Sequence, residues 1–136
     1  MSLTLNTDGG SRGNPGPAAI GVVIKKDDIP LAAFSRYLGD KLTNNRAEYE
    51  ALIAGLEKIR ELGFAHEPLE IRMDSELVIK QMRGEYKVKH ADMKPLHAQA
   101  RDLISHFPQV RFVHVRREEN KEADALVNKA LDEAEA

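Results

Sequence analysis

Residues 3–26, LTLNTDGGSRGNPGPAAIGVVIKK, decide the fold that this sequence predicts. Within them, residues 3–8 alternate apolar and polar side chains and stop at a glycine pair, which indicates a short strand with Asp8 at its end. The next residues, 11–19, are rich in glycine and proline, so we expect a loop of restricted shape without regular structure. Residues 20–26 return to a strand-like apolar run, and the stretch therefore predicts two strands joined by a stiff loop.

Outward from this stretch, the pattern predicts one more strand of a hairpin and then alternating helices and strands. The third strand, residues 31–38, follows a polar turn at Asp27 and Asp28. Two later strands are expected at residues 69–74 and 110–115. Helical spacing of apolar residues predicts helices at 45–63, 75–83 and 95–106, and a last helix that is capped by Asn120 and frays in its acidic tail. This order is typical of an α/β protein with a mixed sheet covered by helices.

The composition limits the classes of protein to which the chain can belong. Its 136 residues suit one domain, residues 1–136, and 42% hydrophobic residues can build a core. The 20 Lys and Arg residues against 22 Asp and Glu residues give a net charge of -2, which excludes binding to a polyanion by overall positive charge alone. The absence of cysteine excludes disulfide scaffolds, thiolate metal sites and cysteine nucleophiles. Because the sequence has no signal peptide and no apolar run of membrane-spanning length, we expect a cytoplasmic protein.

Acidic residues occupy positions where ordinary surface charges are not expected. Asp8 and Asp74 each end a predicted strand, and the carboxyl ends of strands are where ligand sites form in open α/β sheets. Glu48 shares a helical face with Leu52 and Leu56, so it lies on the stripe that faces the sheet and needs a partner there. Asp124 lies at the inner border of the last helix. These four carboxylates are predicted to converge.

Four carboxylates at one place repel one another unless hard divalent cations lie between them. Mg²⁺ or Mn²⁺ suits oxygen ligands, and two such ions stabilise the attacking and leaving oxygens of a phosphoryl displacement. The predicted chemistry is phosphodiester hydrolysis. Taken singly, each acid is more often a cap, a turn residue or half of a surface ion pair, and Asp74 in particular is a good candidate for a helix N-cap.

Five motifs together resemble the type 1 ribonucleases H, from about residue 3 to residue 131. They are TDGG, GNPGPA, TNNRAEYEAL, MDSELV and REENKEADALVN. The resemblance implies a ribonuclease H-like fold, with a five-stranded mixed sheet and helices on both faces. It also implies a monomeric hydrolase that cleaves the RNA strand of an RNA–DNA hybrid endonucleolytically and leaves 5′-phosphate and 3′-hydroxyl ends. In the family, the positions of Asp8, Glu48, Asp74 and Asp124 are catalytic and hold two Mg²⁺ ions, for which Mn²⁺ can substitute.

Further residues of the motifs match substrate contacts of that family. They are Gly9, Gly10, Ser11, Asn14, Thr43, Asn44 and Asn45. An asparagine amide both donates and accepts, which suits a 2′-hydroxyl or a base edge in a shallow minor groove, and a glycine lets backbone approach the RNA strand. The alternative is that these asparagines and glycines only build turns.

The sequence departs from many relatives at two places. The loop before Asp124 carries no histidine; Arg117 is a candidate to replace it as a catalytic cation at the scissile phosphate, and the alternative is a surface arginine that balances Glu118 and Glu119. His114 falls inside a predicted strand, where a structural role is expected. The segment that forms a basic handle in some relatives is only modestly basic here, so we expect weak, salt-sensitive binding of the hybrid. Within it, Tyr86 is expected to be a structural plug, and the alternative is that it packs on a sugar of the substrate.

Two other functions stay open at this point. A nuclease of the same fold could act on double-stranded RNA or on a branched DNA junction, although the asparagine set would be unnecessary for pure DNA. A module that binds a hybrid without cutting it would gain nothing from four mutually repelling carboxylates.

Overall fold

The computed structural model describes residues 2–136. Within that range, no helix has both the length and the apolar character needed to cross a membrane. The strands are β1 Leu3–Ser11, β2 Gly16–Lys26, β3 Ile29–Leu42, β4 Leu69–Met73 and β5 Val110–His114. The helices are α1 Asn44–Glu61, α2 Glu76–Met82, α3 Lys94–Ile104 and α4 Lys121–Glu135, with a short 3-10 helix over Arg117–Glu119.

The five strands form one mixed sheet in the order β3-β2-β1-β4-β5. The first three strands pair antiparallel, whereas β1 pairs parallel with β4 and β4 pairs parallel with β5. Strand β1 is therefore hydrogen-bonded on both sides, and Asp8 lies on the strand at the centre of the sheet.

Helices cover both faces of this sheet, as the sequence predicts. Helices α1 and α3 enclose the larger core, in which Leu5, Ile71 and Leu56 are fully buried. Helix α4 packs on the opposite face, where Val127 and Leu131 form a smaller apolar cluster with Ala19 and Ala130. The apolar periodicity of α1 and α4 thus gives each helix one face toward the sheet.

The prediction of an irregular loop over residues 11–19 is wrong at both ends. Strand β1 continues to Ser11, which pairs with Ala18, and strand β2 begins at Gly16. The N–H of Arg12 donates to the carbonyl of Pro17 at 2.8 Å. Pro17 is tolerated because it lies where the β2–β3 register shifts, and a bulge needs no donor from that position.

The predicted fraying of the acidic tail is also wrong. Helix α4 continues to Glu135, and Arg12 reaches across from the loop after β1 to pair with Asp132 at 2.7 Å and with Glu135 at 2.9 Å. The C-terminal turn of α4 is thereby joined to the loop that follows β1.

Candidate active site

Helix α1 carries Glu48 to the end of β1. It begins at Thr43, whose hydroxyl accepts a hydrogen bond from the N–H of Arg46 at 3.2 Å. A side-chain carbon at Gly9 would lie only 2.2 Å from the carbonyl oxygen of Ala47, so the missing side chain is what allows the helix to sit on the strand. The N–H of Gly9 then donates to Glu48 Oε1 at 2.7 Å.

Helix α4 carries Asp124 to the same place from the opposite face of the sheet. Gly21 is the partner of Asp8 in the β1–β2 ladder, and a side-chain carbon there would lie 2.1 Å from the carbonyl oxygen of Ala123. Each helix therefore meets the sheet at a glycine, and in each helix the residue after the contact is an acid that faces Asp8. A glycine inside the apolar run of β2 is the signal in the sequence by which this close approach could have been predicted.

Asp74 reaches the site from the end of β4, and it is not a helix cap. Ser75 caps α2 instead, since its hydroxyl accepts from the N–H of Val78 at 3.3 Å. The Asp74 carboxylate instead lies with those of Asp8, Glu48 and Asp124, and these four side chains form the acidic group. One carboxylate oxygen from each of Asp8, Glu48 and Asp74 lies within 4.8 Å of the others.

Burial and mutual repulsion shift the pKa values of these carboxyls upward. Loss of solvent, followed by the charges of Asp74 and Asp124, raises the pKa of Asp8 to about 8. Burial, then the Asp8 charge, raises the pKa of Glu48 well above its usual range; this side chain is only 4% exposed. Burial also raises the pKa of Asp74. The protein alone therefore disfavours full ionisation of the group, and a site of this kind fits cations that bind oxygen ligands.

Asp124 and Arg117 complete the acidic group on its other side. Asp124 is near enough to Asp8 to contribute a side-chain hydrogen bond that raises the pKa of Asp8. Arg117 Nη2 lies 3.5 Å from Asp124 Oδ1, and its charge acts to lower the pKa of both Asp8 and Asp74. Arg117 thus faces the carboxylates. Its side chain is 76% exposed, so it remains accessible from solvent.

The asparagines beside the acids are held in one orientation. Asn44 Oδ1 accepts from the N–H of Ser11 at 3.1 Å, and Asn14 Oδ1 accepts from the N–H of Asn44 at 2.9 Å. Because both carbonyl oxygens are engaged, the exposed amide NH2 groups are left as donors. The Ser11 hydroxyl is buried and has no hydrogen-bond partner among the described residues.

The remaining predicted contact residues lie at different depths. Gly10 lines the groove of the acidic group together with Arg12 and Asn128. Gly9 is buried under α1 and its N–H is engaged by Glu48. Asn45 borders a second groove, whose other lining residues are Leu77, Gln81, Glu85, Tyr86, Lys87, Lys89 and His90.

The structure corrects two expectations about residues near the site. His114 is exposed on the edge strand β5, so it is not a buried structural histidine. Tyr86 is 50% exposed with Lys80 Nζ 5.0 Å from its ring centre, so it does not plug the core. The difference at His114 arises because a period-2 pattern does not tell an edge strand from a covered one.

Comparisons with known proteins give consistent results. Residues 6–130 match the Reverse transcriptase-like family. A ribonuclease HI of Halobacterium salinarum is 44% identical over 127 residues, which are 93% of this chain and 63% of that protein. A bifunctional protein of Mycobacterium tuberculosis is 44% identical over 135 residues, but the chain spans only 36% of its length. The crystal structure of LC11-RNase H1 in complex with an RNA/DNA hybrid superposes with a TM-score of 0.94 at 45% identity, covering 99% of this chain and 100% of that one.

The strand order, the helices on both faces and the acidic group beside the central strand define a protein of the ribonuclease H-like class. Within this class, identities of 41–45% to solved RNase H1 chains that are covered almost completely are far above what a shared fold alone gives. The chain belongs to the type 1 ribonuclease H family.

Proposed function

We propose that this chain is a metal-dependent endoribonuclease that hydrolyses the RNA strand of RNA–DNA hybrids and leaves 5′-phosphate and 3′-hydroxyl ends. The observation that carries the proposal is the meeting of Asp8, Glu48 and Asp74 within 4.8 Å, beside a pair of oriented asparagine donors. The similar LC11-RNase H1, solved with an RNA/DNA hybrid, supports the choice of substrate.

The acidic residues fit a pair of divalent cations. Asp8, Glu48, Asp74 and Asp124 would hold them. Burial, and then repulsion between neighbouring carboxylates, raises the pKa of Asp8, Glu48 and Asp74, and a bound cation relieves that repulsion. We propose Mg²⁺ as the working ion and Mn²⁺ as a substitute, since both prefer oxygen ligands. When bound, such ions supply Lewis-acid stabilisation of the attacking and leaving oxygens of the phosphodiester.

The chain's own polar residues then bind and orient the RNA strand. Asn14 and Asn44 present amide donors, which suit the oxygen of a 2′-hydroxyl in the wide, shallow minor groove of a hybrid. Gly10 lets the strand approach the backbone, and Ser11, Thr43 and Asn45 offer further polar contacts. Arg117 supplies a fixed positive charge beside Asp124, where it can contact the phosphate to be cut.

Several narrower points stay predictions from the sequence. These are activity on double-stranded RNA, a monomeric state, a cytoplasmic location and the action of residues 1–136 as a single domain. A substrate comparison addresses the first directly.

The test is a cleavage assay with end-labelled hybrid, double-stranded RNA and double-stranded DNA of one sequence. We expect cleavage of the RNA strand of the hybrid with Mg²⁺ and none after chelation by EDTA. Asp8→Asn, checked for an unchanged circular dichroism spectrum, is the inactive control and should lose at least about 10³-fold in kcat. Cleavage that survives excess EDTA, or cleavage of the RNA duplex in preference to the hybrid, would contradict the proposal.

A further inference from the structure

Asn120 is a buried polar residue whose side chain does not cap the helix that begins after it. It stands at the N-cap position of α4 and is 1% exposed, but its side chain makes no capping hydrogen bond. Instead its Nδ2 donates to the carbonyl of Thr7 at 2.9 Å, and its Oδ1 accepts from Asn6 Nδ2 at 3.0 Å. Both ends of the amide are therefore used to fasten the start of α4 to strand β1.

These bonds help to link the backbone at two of the acidic residues, Asp8 and Asp124. Thr7 is the backbone neighbour of Asp8, and the carbonyl of Asn120 accepts from the N–H of Asp124 at 3.0 Å in the first turn of α4. One residue thus connects the backbone beside Asp8 with the backbone of Asp124, although the two acids are far apart along the chain. The contact of Gly21 with Ala123 holds the same turn against β2.

We infer that Asn120 is a positioning residue that sets the place of Asp124 relative to Asp8, and thereby the affinity of the acidic group for divalent cations. The inference rests on the proposed function for its kinetic part only. An amide is needed because one side chain must donate to Thr7 and accept from Asn6, and no carboxylate or aliphatic side chain of similar size does both. Since the position is closed to solvent, water cannot replace the lost partner, so truncation leaves a buried carbonyl unpaired.

A merely structural role makes a different prediction. If the amide only stabilised the fold, its loss would lower the free energy of unfolding and leave the folded protein's cation affinity and kcat unchanged. A positioning role alters both properties in protein that is fully folded, because Asp124 is then held less firmly beside Asp8. Loss of residues that orient metal ligands typically costs about 10–100-fold in affinity or activity.

The test compares Asn120→Ala and Asn6→Ala with the parent chain, at a temperature where circular dichroism shows each to be folded. Mn²⁺ is titrated without substrate and followed by electron paramagnetic resonance, and hybrid cleavage is measured in parallel. For Asn120→Ala we expect Mn²⁺ affinity to fall about 10-fold and kcat to fall about 10–100-fold, with the KM for hybrid within about twofold of the parent. Asn6→Ala keeps the bond to Thr7, so its losses should be of the same kind and smaller; it also serves if the first variant does not fold.

Leu103→Ala is the matched control. It removes a buried side chain from α3, away from the acidic group, and so lowers stability without touching the connection. It should bind Mn²⁺ as the parent does. Equal Mn²⁺ affinity in the parent and both asparagine variants would overturn the inference. A parent chain that binds Mn²⁺ but does not cut the hybrid would instead contradict the proposed function, and the binding comparison would still decide the role of Asn120.

Discussion

Gly21 lies against Ala123 so closely that the strand has no room for a side chain at this position. Because Gly21 pairs with Asp8 and Ala123 precedes Asp124, this backbone contact sets the distance between the two acids. Gly9 and Ala47 make the equivalent contact on the opposite face, immediately before Glu48. The geometry of the acidic group therefore depends on two glycines whose lack of a side chain lets the helices approach.

Gly21→Ala should displace the start of α4 from the sheet. We expect a loss of about 1–3 kcal/mol in the free energy of unfolding, because the added methyl meets a backbone carbonyl that cannot move alone. In the protein that remains folded, kcat should fall at least about 10-fold, since Asp124 moves with the helix. Urea denaturation and steady-state cleavage of hybrid measure the two effects.

Gly63→Ala is the control for that variant. Gly63 follows α1 at a φ of 86°, and no atom lies within 4 Å of the place that a Cβ would take, so alanine there is strained but meets no neighbour. Its stability should fall by about 1–2 kcal/mol, with kcat unchanged. Equal kcat losses in the two variants would show that destabilisation, and not displacement of Asp124, explains the result.

Asn44→Asp should distinguish two roles of the Asn44 side chain. One role is to accept the hydrogen bond from the loop at Ser11, and the other is to donate to the substrate. Aspartate keeps an oxygen to accept from the N–H of Ser11 and adds a favourable charge in the first turn of α1, so stability should not fall. It loses the amide donor, and we expect the KM for hybrid to rise about 10-fold with kcat nearly unchanged. Arg46→Gln makes the same change in net charge at an exposed neighbour; an equal rise in KM there would attribute the effect to charge alone.

Arg117→Ala should lower kcat about 10-fold with little effect on stability, because an exposed ion pair stabilises a fold only weakly. Arg117→Lys keeps the charge but loses the planar fork, and it should recover part of the loss. Single-turnover cleavage rates measure the effect, and Glu118→Gln serves as a control in the same turn. A rate for the alanine variant that matches the parent would return Arg117 to the role of a surface charge.

The stability of the metal-free protein should fall as pH rises from about 4 to about 8. The folded Asp8 holds its proton up to a pKa of about 8, whereas the unfolded chain releases it near the ordinary aspartate pKa of 3.8. Between these values the folded state binds more protons than the unfolded state, so the free energy of unfolding decreases with pH. Glu48 and Asp74, whose pKa values are also raised, act in the same direction.

Thermal unfolding in EDTA at a series of pH values measures this decrease. Asp8→Asn has no proton to release at this position, so its melting temperature should exceed that of the parent by a margin that is near zero at pH 4 and grows steadily toward pH 8. A constant margin across this range would contradict the assignment to Asp8.

The sequence predicted those features that depend on local periodicity. Glu48 was correctly placed on the buried stripe of α1, and Asp74 at the end of a strand, because both follow from spacing within one element. It did not predict that residues 16–19 extend β2, because that depends on pairing with strands distant in sequence. Nor could it find the bonds of Asn120 to β1, since helix capping and cross-linking of two elements use the same residue type.

Asn44 and Glu48 stand one turn apart on a single helix, about 6 Å along its axis. Asn44, which is proposed to bind the hybrid, and Glu48, which is proposed to act in its hydrolysis, are thus held by the same rigid helix. Changes elsewhere in the molecule can strengthen or weaken binding of the hybrid. Helical geometry, however, fixes the distance between the sugar that is bound and the bond that is hydrolysed.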